Sequence, residues 1–152
     1  MTHPLDNPVL GSLTGPHRRI ALVQGRAARY PADVPDILGL VERTNPGPFL
    51  PRTIELGAYL GIRREGELVA MAGERMRPPG WTEISAVCTD PAWRGHGFAS
   101  RLTRAVAAGI VARGDTPFLH AIASNVTAIR LYKELGFTHR RDIQFPRLRR
   151  IA

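Results

Sequence analysis

The sequence predicts an α/β domain, with helices packed on a central sheet. Three stretches carry that reading. Residues 68–72, LVAMA, are continuously apolar, as a strand buried on both faces is. Residues 81–89, WTEISAVCT, alternate. Ile84, Ala86 and Cys88 are expected on one face, and Glu83, Ser85 and Val87 on the other. From residue 98 onward, Phe98, Leu102, Val106 or Ala105, and Ile110 recur at helical spacing, and Gly114 follows as a stop.

The other elements follow in chain order. Residues 1–16 are rich in Pro, Gly and Asn and carry weak signals. Residues 18–30 read as a strand with an apolar centre, and 31–44 as a short helix with acidic residues in its first turn. The breaker-rich stretch 45–51 is a loop, and 52–60 reads as another short helix. Residues 61–76 give two strands joined by a turn near Glu65 and Gly66, and Arg77-Pro78-Pro79-Gly80 turns the chain again. Residues 116–123 read as a strand. Residues 124–136 read as a helix capped by Ser124 or Asn125 and stopped at Gly136, with Ala128, Leu131, Tyr132 and Leu135 on its inner face. Residues 137–148 are expected to close with one or two strands.

Length and composition set bounds. A chain of 152 residues suits a single domain with its own core. No run approaches the roughly 20 apolar residues of a transmembrane helix. The first residues lack the basic-then-apolar pattern of a signal peptide. Cys88 is the only cysteine, which excludes an internal disulfide and agrees with a reducing cytoplasm. A cytoplasmic protein with no membrane partner is therefore expected. The net charge of +8 comes almost wholly from arginine, because Lys133 is the only lysine. A basic surface attracts polyanions. The arginines are scattered, however, and the one dense cluster, at 147–152, lacks interleaved aromatics. Codon bias toward arginine is the simpler explanation, and nucleic acid is the less favoured partner. His3, His17, His96, His120 and His139 lack metal-ligand spacing, so no metal is expected.

The stretch WRGHGFAS, residues 93–100, joins the strand ending at Thr89 to the helix opening near Phe98. Backbone amides in the first turn of a helix have no internal partner and attract anions. Glycine at 95 and 97 removes the Cβ that would block the approach. Arg94 adds a fork of donors suited to phosphate. A glycine-rich turn ahead of a helix is by itself often only a tight turn. Two other phosphate motifs fit poorly: no lysine completes a P-loop, and Ser100 stands where a dinucleotide fingerprint needs its third glycine.

Arg94-Gly95-His96-Gly97-Phe98-Ala99 resembles the [QR]-x-x-G-x-[GA] signature of the GNAT superfamily of acyl-CoA N-acyltransferases. FLHAIASNVTAIRLYKELGF, residues 118–137, resembles the strand, Asn, helix and LYxxLGF segment that follows it in that family. The likeness covers residues 61–145, and residues 1–60 resemble the family only loosely. It implies a GNAT-like fold with a central, mostly antiparallel sheet. It also implies one domain over 1–152, with 1–60 on the acceptor side and 61–145 as the cofactor-binding core. Acetyl-CoA would be the cofactor, its pyrophosphate on the amides of Arg94, Gly95, His96, Gly97, Phe98, Ala99 and Ser100. Its pantetheine arm would run beside Val87, Cys88 and Thr89, with Asn125 bonding to it.

The implied activity is acetyl transfer to a small-molecule or peptide amine by direct attack. The amine must be neutral, and Glu83 is the candidate base. A backbone amide near Val87 or Cys88 would steady the oxyanion. Tyr132 matches the family's general acid. The plainer readings of these residues are a core aromatic for Tyr132 and an ion pair for Glu83. Cys88 reads as a small buried hydrophobe, His96 as a solvent-facing filler, His120 as a satisfied core residue, and Trp81 and Trp93 as packing. A homodimer is common in the family, and nothing in the sequence marks an interface. The alternatives to an enzyme are a non-catalytic acetyl-CoA sensor and a basic nucleic-acid-associated protein.

Overall fold

The computed structural model describes residues 20–23 and 33–144. The element order is β1 (Ile20–Val23), α1 (Val34–Thr44), β2 (Tyr59–Arg64), β3 (Glu67–Glu74), β4 (Trp81–Thr89), α2 (Phe98–Ala112), β5 (Thr116–Leu119) and α3 (Val126–Glu134). The strands form one five-stranded sheet in sequence order. β1 to β4 pair antiparallel, and β5 lies parallel to β4. The sheet is thus mostly antiparallel, as the resemblance implied.

The two main helices cover opposite faces. On one face, Phe98, Leu102, Val106 and Ile110 of α2 pack on Ile62, Ala70, Ala72 and Ile84. Each of the larger side chains contributes about 1.5–3 kcal/mol by leaving water. On the other face, Ile37 and Leu40 of α1 pack with Tyr59, Leu68, Met71 and Cys88. Tyr59 stands opposite Gly73 across the β2–β3 ladder. Its ring occupies the space of the missing side chain, since a Cβ on Gly73 would fall 2.2 Å from Tyr59 Cδ1.

Several expectations change. The helix expected over 52–60 is a single 3₁₀ turn, Thr53–Leu56. Gly57 then adopts an extended backbone and releases Tyr59 and Leu60 into β2. β5 stops at Leu119 instead of 123, and residues 137–144 form no strand. Residues 18–19, 24–32 and 145–148 of the expected elements lie outside the described residues. Trp81, expected to pack, is 40% exposed, whereas Trp93 packs against the α2 core.

The largest correction lies in β4. Ala70 pairs with Thr89 and Met71 with Cys88, but Gly73 pairs with Ser85. β4 therefore carries one extra residue, a β-bulge, and Ala86 takes φ 53°. Strict alternation fails there. Ile84 and Val87 face α2, while Ala86 and Cys88 face α1. The expectations that Ile84, Ala86 and Cys88 share a face, and that Glu83 and Val87 do, are both overturned. A bulge shifts every later side chain to the opposite side.

Candidate active site

The stretch 93–100 forms the turn and helix start that its sequence suggests. Asp90 ends β4 and accepts from the Ala92 amide at 3.0 Å, which starts a short 3₁₀ turn at Pro91–Trp93. Arg43 of α1 grips Asp90 at 2.7 Å and holds its carboxyl below the usual range. Gly95 and Gly97 follow with φ of +82° and +71°, in the left-handed region where glycine alone is unstrained. α2 then opens at Phe98. No side chain caps it at Gly97, and its first turn carries no acidic residue.

A Cβ added at Gly95 or Gly97 would meet nothing within 4 Å, so the ground in front of these amides is open. Arg64 and Arg101 each lie 5.1 Å from the Phe98 ring centre, and Arg94 precedes the loop. His96 is exposed, its Nδ1 within 3.1 Å of the Trp93 and Arg94 carbonyls. The Thr89 and Thr103 hydroxyls are buried without a partner. An uncapped helix start with Arg64 and Arg101 beside it fits a pyrophosphate. Ala99 and Ser100 lie in the first turn and supply two of its amides.

Next to the cradle, the sheet forks. β4 and β5 pair as far as Ile84 and Leu119. One residue further, β4 enters its bulge and β5 ends. Parallel strands that part at their carboxyl ends leave a crevice where ligands bind. Val87, Cys88 and Thr89 form the β4 side of it. Cys88 is buried, and that burial pushes its thiol up to about 11 despite hydrogen bonds with Thr44 and Met71. α3 starts at Asn125, whose side chain accepts from the Ala128 amide at 3.1 Å, so Asn125 is the helix cap. Tyr132 is half-buried on α3, edge-on to Phe137 at 6.2 Å. Burial, and the Cys88 sulfur beyond it, raise the Tyr132 hydroxyl, so it keeps its proton at neutral pH.

Glu83 is 1% exposed and is not free. Arg75 clasps it through Nε at 2.8 Å and Nη2 at 2.6 Å. Nδ1 of His120 lies 2.7 Å from its Oε1. Burial works to raise the carboxyl, but the hydrogen bonds from Arg75 and His120 outweigh it and hold the group below its ordinary value. The side chain read as a base is thus ionised and paired with both. His120, read as a core residue, stands just past β5 with a 27% exposed side chain. Arg75 also lines a shallow pocket, with the Pro46–Phe49 loop, Ser85 and Ala86.

Sequence reasoning missed Arg75, and hairpin register would have found it. The turn at 77–80 brings it across from Glu83, whose carbonyl accepts from the Arg75 amide at 3.1 Å. Among the described residues, no cluster of three or more His, Cys, Asp or Glu stands ready for a metal ion. No helix there is long and apolar enough to cross a membrane.

Comparison with known proteins places the chain. Residues 59–145 match the family model of FR47-like proteins. A GNAT-family structure from Novosphingobium aromaticivorans superposes with a TM-score of 0.74 at 46% identity, covering 90% of this chain and 57% of that one. The N-alpha-acetyltransferase RimI of Mycobacterium tuberculosis is 37% identical over 82 residues, 52% of this chain and 51% of that protein. The Escherichia coli ribosomal-protein-S18-alanine N-acetyltransferase shares the fold, with a TM-score of 0.66 at 20% identity over 80% of this chain and 79% of that one. The chain belongs to the FR47-like family of the GNAT superfamily. It spans about half the length of the RimI protein it matches.

Proposed function

We propose that the protein is an acetyl-CoA-dependent N-acetyltransferase acting on an amine. One observation carries the reading. The uncapped, glycine-lipped start of α2 lies directly beyond the bulged end of β4, beside the fork with β5. This puts an anion site and a strand with unpaired backbone next to each other. The family supports the same reading, and the RimI likeness makes an α-amine of a peptide one acceptor to test.

When bound, acetyl-CoA supplies a thioester carbonyl open to attack by a neutral amine. The chain's own residues do the rest. The amides of Arg94 through Ser100 hold the pyrophosphate, with Arg94 reinforcing them. Val87, Cys88 and Thr89 offer backbone groups to the pantetheine arm, and Asn125 lies at the far side of the fork. The bulge takes Ala86 and Val87 out of the β3 ladder, which leaves an amide for a developing oxyanion. Tyr132 keeps its proton at neutral pH and is placed to give it to a departing thiolate. Glu83, held ionised by Arg75 and His120, serves the base function through water. The Pro46–Phe49 loop, which lines a pocket with Arg75, Ser85 and Ala86, lies on the acceptor side.

The test is thiol release from acetyl-CoA in the presence of an amine panel that includes short peptides with free N-termini. Turnover with any amine supports the reading. Tight acetyl-CoA binding with no turnover on any amine would favour a sensor instead.

A further inference from the structure

We propose that Arg43 of α1 is a positioning residue for the cofactor site: it neutralises Asp90, the carboxylate that builds the turn leading into α2. The proposal rests on the acetyl-CoA reading above.

Asp90 joins three pieces of backbone. Its amide donates to the Val69 carbonyl at 2.8 Å, which ties the end of β4 to β3. Its carbonyl accepts from the Trp93 amide at 2.9 Å, and its Oδ1 accepts from the Ala92 amide at 3.0 Å. These bonds shape the 3₁₀ turn Pro91–Trp93 that delivers the chain to Gly95 and Gly97. The second carboxylate oxygen, Oδ2, accepts from Nε of Arg43 at 2.7 Å. One oxygen is thus committed to the turn and the other to α1.

The turn needs an acceptor at position 90 but not a charge, since an asparagine side chain caps as well as an aspartate. A carboxylate just ahead of an anion site works against that site, because like charges repel over about 8 Å in physiological salt. Arg94, inside the stretch that would hold the pyrophosphate, is close enough to act on the Asp90 carboxyl. A phosphate held beside Arg94 therefore meets the same negative charge.

Arg43 offsets it from a different element. Its Nη2 also reaches the Leu68 carbonyl at 3.5 Å, so the guanidinium bridges α1, β3 and the end of β4. The Arg43 side chain is 46% exposed and that of Asp90 16%. A pair this open to water adds little to stability. Its effect falls instead on the neighbouring anion site. Arg43 also stands in the last turn of α1, where a cation suits the helix dipole, and the experiment separates that role from this one.

Calorimetric titration with acetyl-CoA tests the proposal on the parent, Arg43→Ala, Arg43→Lys, Asp90→Asn and the double variant Arg43→Ala/Asp90→Asn, with thermal unfolding of each. Arg43→Ala should weaken binding about fivefold, the effect of one uncancelled surface charge. The deficit should shrink in roughly 0.5 M salt. Arg43→Lys keeps the charge and should bind within about twofold of the parent. Asp90→Asn keeps the cap and removes the charge, so adding it to Arg43→Ala should restore binding to within about twofold of the parent. A residue that only holds α1 in place would show no such restoration. If Arg43→Ala unfolds early, Asp90→Asn alone decides: it should bind at least as tightly as the parent, and weaker binding overturns the proposal. A double variant as weak as Arg43→Ala, an Arg43→Lys as weak as Arg43→Ala, or an Arg43→Ala that binds like the parent also overturns it and leaves the acetyl-CoA reading intact. A parent that does not bind acetyl-CoA overturns both.

Discussion

Ile84 and Cys88 lie on one strand, an even number of residues apart, yet face opposite sides of the sheet: Ile84 packs beneath α2 and Cys88 beneath α1. The bulge between them makes this so, and Ala86 holds it open at φ 53°. A left-handed backbone costs a non-glycine residue roughly 1–2 kcal/mol. Ala86→Gly should therefore unfold at the parent temperature or slightly above it. Ala86→Val adds a branched side chain in the same conformation and should unfold several degrees lower. Thermal unfolding of the two variants checks the order, and equal temperatures would mean that the bulge is not under strain.

Cys88 tests the burial of the fork. Its thiol is pushed from an ordinary 9.0 to about 11. At pH 8 that shift alone leaves about a hundredfold less thiolate. Alkylation by iodoacetamide should be at least that much slower in the folded protein than in urea. A fast native reaction would place Cys88 at an open surface.

Glu83 makes stability depend on pH. Its carboxyl is held below its ordinary value of 4.5. The stabilisation it gives is therefore fully present above that value and is lost as the pH falls through the lower folded-state value. Glu83→Gln leaves Arg75 with no carboxylate and should destabilise at pH 7 by on the order of 3 kcal/mol. The gap between parent and variant should close as the pH drops below 4.5. Urea unfolding at a series of pH values reads this, and a gap that stays constant would assign the loss to packing.

Tyr132→Phe removes the hydroxyl and keeps the ring against Phe137. Loss of a general acid should lower kcat by about 10²-fold or more, with KM and unfolding temperature nearly unchanged. A drop in stability with kcat preserved would make Tyr132 a packing residue.

What the sequence revealed depended on how local each feature was. The turn into α2 was legible, because Gly95 and Gly97 act through neighbouring backbone and the helix they open. α2 was legible through the spacing of Phe98, Leu102, Val106 and Ile110. The bulge was not, because an alanine stands at the position where a glycine would have signalled a positive φ. The register slip it causes then misassigned Cys88 and Val87. The clasp on Glu83 was hidden for another reason. Arg75 and His120 reach it from a hairpin partner and a parallel neighbour, so no window of sequence contains all three residues. Tyr59 was misread as helix because the four residues before Gly57 do form a helical turn, and its role against Gly73 exists only across the ladder.

A calorimetric titration with acetyl-CoA, repeated on Gly97→Glu and Gly97→Ala, comes first. Gly97→Ala carries the backbone strain of φ +71° without the bulk or charge, and separates strain from blockage. Micromolar binding by the parent, weakened only modestly in Gly97→Ala and lost in Gly97→Glu, is the expected result. If the parent does not bind, or if Gly97→Glu binds as tightly as the parent, the start of α2 is a turn and not a cofactor site.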